Sequence, residues 1–398
     1  MTNRALVLGA LASDGSAVRR PLRSRDTELM AAGLRALGAT VTDAGDDWVV
    51  TGLDAAEGGD VAVDVGNAGT VARFLPAVAA LTARTVSFDG DPRIRERPIA
   101  PLLTGLRALG ADVDDGGRGT FPVTVRGRGG LPGGRADVDA SESSQLVSGL
   151  LLVGPRCADG LELVSTGALP SRPHVAMTVA MMRAAGAQVA AEGGSWRVAP
   201  GDYAAPDVVV EPDLSGAAPF VAAAVVAGGT VRIPGWPRST TQPGAALVGL
   251  LELMGARCTL DDDGLSVQGD GGVSGVVADL GDCGELLPVL AALAALAHEP
   301  SRFTGVAHLR RHETDRLAAL ARELGNLGSD VEELPDGLAI TPRPLHAGTV
   351  ETYDDHRIAM AAALLGLAVP GLLVSDVATT AKTMPDFTTR WAAMLGAG

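Results

Sequence analysis

The chain has 398 residues and a mass of 40.2 kDa, too long for one ordinary domain, so about two or three are expected. Hydrophobic residues make up 46% and charged residues 20%, which supports a large core and excludes wholesale disorder. Lys and Arg total 32 against 47 Asp and Glu, a net charge of −15 with only 3% aromatics. That balance argues against a nucleic-acid or anionic-membrane binder, yet leaves room for a small anion held by local arginines.

The predicted elements follow a repeat of about 70 residues. Arg4 to Ala12 is a small, apolar helix of the kind buried all round. Asp26 to Val41 is a second helix that ends in a Leu37-Gly38-Ala39 turn and a strand. The pair then recurs. Gly69 to Leu81 is the apolar helix, Thr85 to Asp89 a strand, and Arg97 to Val113 the helix, turn and strand. Ser143 to Val153 and Arg172 to Val189 form the third copy. Ser215 to Ala227 with the turn at Leu253 to Cys258 forms the fourth, and Glu285 to Ala297 with Leu327 to Val331 the fifth. His356 to Val369 and Asp386 to Gly396 form a sixth, cut off at its turn. Short hairpin-like strands between the helices, punctuated by 52 Gly and 24 Pro, point to mixed sheets.

Six α/β copies divide into two similar domains, residues 1–211 and 212–398, with the joint near Pro206 to Pro212. Helices lie inside each domain and sheets outside. Cys157, Cys258 and Cys283 are scattered, without zinc spacing, and suit a reducing cytoplasm. No signal peptide is recognised, and apolar runs such as Leu286 to Ala297 are too short to span a bilayer.

Polar clusters interrupt the Ala/Leu/Gly pattern at helix starts. Gly66-Asn67-Ala68-Gly69-Thr70 reads as an anion site on free helix N–H groups or as an ordinary capping turn. Arg93, Arg95 and Arg97 are a cationic loop or a solvated one. Ser143-Ser144-Gln145 and Ser171 open two further helices, as phosphate ligands or as caps. Arg310 to Arg316 mixes arginines with His312 and the carboxylates Glu313 and Asp315, and Tyr353-Asp354-Asp355-His356-Arg357 heads the most apolar helix. Lys382 is the single lysine of the chain. It survives by chance, or because arginine cannot replace a compact ammonium there. Helices that start at one end of each domain would aim their positive dipoles into a shared cleft, which predicts a strongly anionic ligand bound between the domains.

Six ordered motifs together, Asn67 to Thr70, Arg93 to Pro98, Ser143 to Gln145, His312 to Leu317, Asp355 to Arg357 and Lys382 to Pro385, resemble the 5-enolpyruvylshikimate-3-phosphate (EPSP) synthase family along essentially the whole chain. The resemblance implies an α/β fold of two domains, each of three βαβαββ units with buried helices and outer mixed sheets, an inside-out arrangement. It implies transfer of the enolpyruvyl group of phosphoenolpyruvate to shikimate 3-phosphate by a cytoplasmic monomer, without metal or organic cofactor, in the shikimate pathway to aromatic amino acids. Arg4, Ser143, Ser144, Gln145, Ser171, Glu285 and His312 would then hold shikimate 3-phosphate. Gly69, Arg97, Gln145, Arg316, Arg357 and Lys382 would surround phosphoenolpyruvate, with Glu285 and Glu313 as proton-transfer groups. His312 stands where many members have lysine, His174 where many have tyrosine, and Glu285 where aspartate is more common.

Two other functions remain in view. A UDP-N-acetylglucosamine enolpyruvyl transferase shares the fold, but it usually carries a reactive cysteine on the loop that here reads Asp91 to Arg97. An inactive homologue would bind shikimate 3-phosphate without turnover. Family members usually carry a Lys-Ser pair shortly before the segment matching Met1-Thr2-Asn3-Arg4, and the sequence as written begins at Met1. Two expectations follow. A chain without that segment would have an open sheet edge in its second domain and little activity. A mis-assigned start codon would instead conceal a longer, normal protein.

Overall fold

The structure, a computed structural model, describes residues 1–396. Twelve α-helices lie among them. The first six are α1 (Thr2–Leu11), α2 (Arg25–Ala36), α3 (Gly69–Ala79), α4 (Ala100–Ala108), α5 (Ser144–Val153) and α6 (Arg172–Ala184). The other six are α7 (Leu214–Ala227), α8 (Leu247–Leu253), α9 (Leu287–Ala295), α10 (Arg316–Asn326), α11 (His356–Leu365) and α12 (Phe387–Met394). None is long and apolar enough to cross a membrane.

The odd-numbered helices are the interior ones. Every residue of α1 and of α9 is buried. Small side chains let their backbones approach: a Cβ on Gly149 of α5 would stand 2.2 Å from the Arg73 carbonyl oxygen of α3. The even-numbered helices of the first five copies bury one face only and end in turns at Gly38, Gly110, Gly186, Gly255 and Gly328, all with positive φ. Glycine adopts that left-handed conformation without a Cβ clash, so each helix stops there.

The chain forms two compact units, the first Met1–Val210 and the second beginning at Glu211. The division falls one residue earlier than the sequence boundary. Glu211 belongs to the second unit, where its carboxylate accepts hydrogen bonds from Thr240 Oγ1 (2.5 Å) and Gln242 Nε2 (2.8 Å).

Three four-stranded sheets cover the first unit. In the second of them, Gly58–Asp64 pairs parallel with Ala83–Asp89, which pairs antiparallel with Val123–Arg126, which pairs with Asp112–Asp114. With α3 and α4 interleaved, this is the βαβαββ order. The third sheet repeats it with Gly134–Val138, Leu161–Ser165, Ser195–Val198 and Val189–Glu192. In the first sheet the strand expected ahead of α1 comes from the far end of the unit, since Val208–Val209 pairs parallel with Ser16–Arg19. The second unit carries sheets of three, four and two strands among the described residues.

Several helix limits differ from the sequence reading. Arg97 is not helical; it follows a 3-10 turn over Pro92–Glu96, and α4 begins three residues later. Pro98 explains this, because it disfavours helical geometry at Arg97. Glu285 lies in a 3-10 turn, Gly284–Leu286, ahead of α9. The helix expected to run to Val369 stops at Leu365, with Gly366 at its C-cap.

Candidate active site

In the first unit the starts of α1, α3, α5 and α6 carry the polar residues. The turn before α3 is held from both sides. The Gly66 N–H donates to Asp64 Oδ1 (2.7 Å), and Arg25 forks onto Asp91 with two bonds of 2.8 Å. Arg97 Nη1 donates to both the main-chain oxygen and Oδ1 of buried Asn67, each at 3.0 Å. A Cβ on Gly69 would lie 2.8 Å from Gln145 Oε1 and 3.1 Å from Arg97 Nη2. Gly69, Arg97 and Gln145, drawn from three segments of sequence, therefore meet at one place.

Ser143 is an N-cap, its Oγ accepting the Gln145 N–H at 3.3 Å, and Ser144 is buried in the first turn of α5. Ser171 precedes α6 but does not cap it. Its backbone is left-handed (φ 51, ψ 45), and its side chain makes no capping hydrogen bond. Arg4 is 5% exposed and bridges to α6, with Nε donating to Thr178 Oγ1 (2.7 Å) and Nη2 to the His174 carbonyl (3.2 Å). The Thr178 hydroxyl lies 3.0 Å from Ser148 Oγ of α5. Asn3 Nδ2 donates to Thr70 Oγ1 (2.6 Å), fastening α1 to the start of α3.

In the second unit the centre is Arg316, 2% exposed at the start of α10. Nε and Nη2 fork onto Asp355 (2.7 and 3.2 Å), and Nη2 also reaches Glu313 Oε2 (2.9 Å). Nη1 lies 3.2 Å from His312 Nδ1. Lys382 Nζ donates to the other Glu313 oxygen at 2.6 Å. Arg357, in the first turn of α11, donates from Nη1 to the Glu285 carbonyl at 3.3 Å. Glu285, His312, Glu313, Arg316, Arg357 and Lys382 are thus linked through one network, although they span 98 positions of sequence.

Burial and pairing set the charges here. Burial opposes ionisation of Arg316, but Asp355 and Glu313 outweigh it and hold the guanidinium above its ordinary pKa. Asp355 is fully buried, which alone would raise its pKa; Arg316 overrides this and holds it below the usual carboxylate range. His356 is pushed down to about 3, first by burial, and is neutral at physiological pH. Among the described residues no cluster of side chains suits a metal ion.

Some residues of these clusters were not singled out from sequence as site groups. Asp355 had a readable signal, an N-cap aspartate whose Oδ1 accepts the Arg357 N–H at 2.9 Å. Asn67 was legible as part of the turn before α3, but its bond to Arg97, like the bond of Asn3 to Thr70, was not, because the partners lie 30 and 67 positions apart.

Buried helices covered by mixed sheets, with cations gathered at the helix starts, define an inside-out α/β protein suited to holding small anions. Solved structures of EPSP synthase from Acinetobacter baumannii share the architecture. One aligns with TM-score 0.80 and 25% identity over 98% of this chain and 92% of its own. A second, with TM-score 0.79 and 24% identity, covers the same shares. The EPSP synthase (3-phosphoshikimate 1-carboxyvinyltransferase) family model matches residues 1–391. A curated relative from Kocuria rhizophila, a 3-phosphoshikimate 1-carboxyvinyltransferase, is 52% identical over 409 aligned positions, covering 100% of this chain and 92% of its own length. The chain belongs to the EPSP synthase family.

Proposed function

We propose that the protein transfers the enolpyruvyl group of phosphoenolpyruvate to the 5-hydroxyl of shikimate 3-phosphate and releases phosphate. The observation that carries the reading is the linked set Arg316, Arg357, Lys382 and Glu313, three cations and a carboxylate gathered in a chain of net charge −15. Arg316, Arg357 and Lys382, with Arg97, Gly69 and Gln145 of the first unit, take the carboxylate and phosphate of phosphoenolpyruvate. Arg4, Ser143, Ser144, Gln145 and Ser171, with Glu285 and His312, take shikimate 3-phosphate.

The chemistry needs both kinds of group. The acceptor hydroxyl oxygen bonds to C2 of phosphoenolpyruvate as its proton leaves, and the C3 methylene gains a proton, giving a tetrahedral intermediate. The C2–O bond to phosphate then breaks, and loss of a C3 proton restores the double bond. Glu285 and Glu313 are the proton-transfer groups. The cations offset the charge of donor and leaving phosphate, and each such group contributes roughly 100- to 1000-fold in rate. The protein acts as a cytoplasmic monomer, a reading that sedimentation and fractionation test.

The deciding assay measures phosphate released from phosphoenolpyruvate with shikimate 3-phosphate as acceptor. Release that requires both substrates is expected. Binding of shikimate 3-phosphate without release would make the protein an inactive homologue, and release only with UDP-N-acetylglucosamine would reassign the acceptor.

A further inference from the structure

Between Val350 and α11 the chain passes through a conformation that its residues do not favour. Tyr353 and Asp354 have φ of 54° and 55°, consecutive left-handed residues with side chains. For a bulky residue such as tyrosine that geometry is a true outlier, and it persists only where surrounding structure over-determines it. The turn is closed by the Asp355 N–H donating to the Thr352 carbonyl at 2.9 Å. It delivers Asp355 to Arg316 and opens the helix that carries Arg357.

One residue outside the site network accounts for the constraint. Glu323 is 4% exposed on α10. One carboxylate oxygen accepts the Tyr353 hydroxyl at 2.5 Å, and the other accepts the Glu351 N–H at 3.0 Å. Arg316 and Glu323 are seven positions apart, two helical turns, and so lie on one face of α10. That face therefore grips the segment 351–355 at both ends, by Glu323 before the left-handed pair and by Arg316 after it. Burial first, and then the bond to Glu323, raise the Tyr353 pKa, so the hydroxyl keeps its proton.

We propose that Glu323, acting through the Tyr353 hydroxyl and the Glu351 N–H, is a positioning residue that holds the strained Tyr353-Asp354 turn and thereby sets Asp355 and Arg357 for phosphoenolpyruvate. The inference rests on the reading of Arg316 and Arg357 as ligands of that substrate. It adds a residue that touches neither substrate and whose effect falls on one of them.

The test compares variants by steady-state kinetics, by calorimetric titration with shikimate 3-phosphate, and by melting temperature. Tyr353→Phe removes one hydroxyl and is expected to lower kcat/KM for phosphoenolpyruvate about 3- to 10-fold, with the Kd for shikimate 3-phosphate within twofold of the parent. Glu323→Ala removes both bonds and is expected to cost 30-fold or more in the same ratio. Asp354→Gly added to Glu323→Ala should recover at least threefold, because glycine takes positive φ without strain. A purely structural role would lower the melting temperature, leave kcat/KM of the folded protein unchanged and show no recovery. Values within twofold of the parent in Tyr353→Phe overturn the proposal even where Glu323→Ala does not fold, as does an equal loss of affinity for shikimate 3-phosphate. Arg357→Ala separates the two readings. If it leaves KM for phosphoenolpyruvate unchanged, the assignment of the site fails; if it raises KM while the Glu323 and Tyr353 variants do nothing, only the positioning role fails.

Discussion

At the scale of single residues, Lys382 and His356 carry the sharpest consequences. Lys382 is 7% exposed and its ammonium sits 2.6 Å from Glu313. A guanidinium is wider and planar, so Lys382→Arg keeps the charge but cannot keep that geometry. A fall of about 100-fold or more in kcat/KM is expected, and full activity would return the lone lysine to chance. His356 gives a stability effect with a defined sign. Its pKa is about 3 in the folded protein, against about 6.5 for an unperturbed histidine. Between those values the unfolded chain binds a proton that the folded chain does not. This contribution is complete above about pH 6.5 and is lost progressively as pH falls toward 3. By pH 5 the loss amounts to about 2 kcal/mol. Urea unfolding of His356→Gln should therefore show a smaller loss between pH 7 and pH 5 than the parent. Equal losses in the two proteins would mean that His356 is protonated in the fold.

At the scale of elements, the packing of small residues decides stability. A Cβ at Gly149 meets the Arg73 carbonyl oxygen at 2.2 Å, and backbone cannot yield as a side-chain tip can. Gly149→Ala is expected to destabilise by about 1–3 kcal/mol through separation of α3 and α5. Gly249 of α8 provides the contrast. It is exposed, and its Cβ would meet nothing within 4 Å. There alanine removes only the entropic penalty of a helical glycine and should stabilise by about 0.5–1 kcal/mol. Denaturant midpoints of the two variants, shifted in opposite directions at unchanged m, are the measurement. A shared direction would show that helix propensity, rather than helix–helix approach, governs both sites. Element starts matter as much as interiors. Asp315, Asp355 and Ser143 each cap a helix that bears a proposed ligand residue in its first turn, so the residues that begin the helix also aim its functional side chains.

At the scale of the whole molecule, each compact unit contributes its own set of proposed ligand residues. If both sets act on the same pair of substrates, ligand binding must stabilise both units by mass action. At a ligand concentration of 100 Kd the shift is about 2.7 kcal/mol. Scanning calorimetry with shikimate 3-phosphate and phosphoenolpyruvate together should move the unfolding of both units upward. Movement of one unit alone would show that the other does not bind, and would confine the reaction to half of the proposed residues.

The sequence by itself determined the repeat. Runs of small apolar residues could only be interior helices, and glycine turns after the outer helices fell at the places where positive φ is required. It also placed the clusters at Ser143, Arg316 and Arg357 at helix starts, because caps, prolines and glycines are local signals that act over a few residues. The tertiary structure alone decided which of those groups meet. Arg316 finds Asp355 39 positions away, Arg97 finds Asn67 across 30, and Glu323 reaches Tyr353 across 30. It also brought Val208–Val209 to the first sheet, 190 positions from the strand it pairs with. Such partnerships leave no periodic trace in the chain. They arise because a charge or amide buried by packing must find its counterpart there, wherever the fold has carried it.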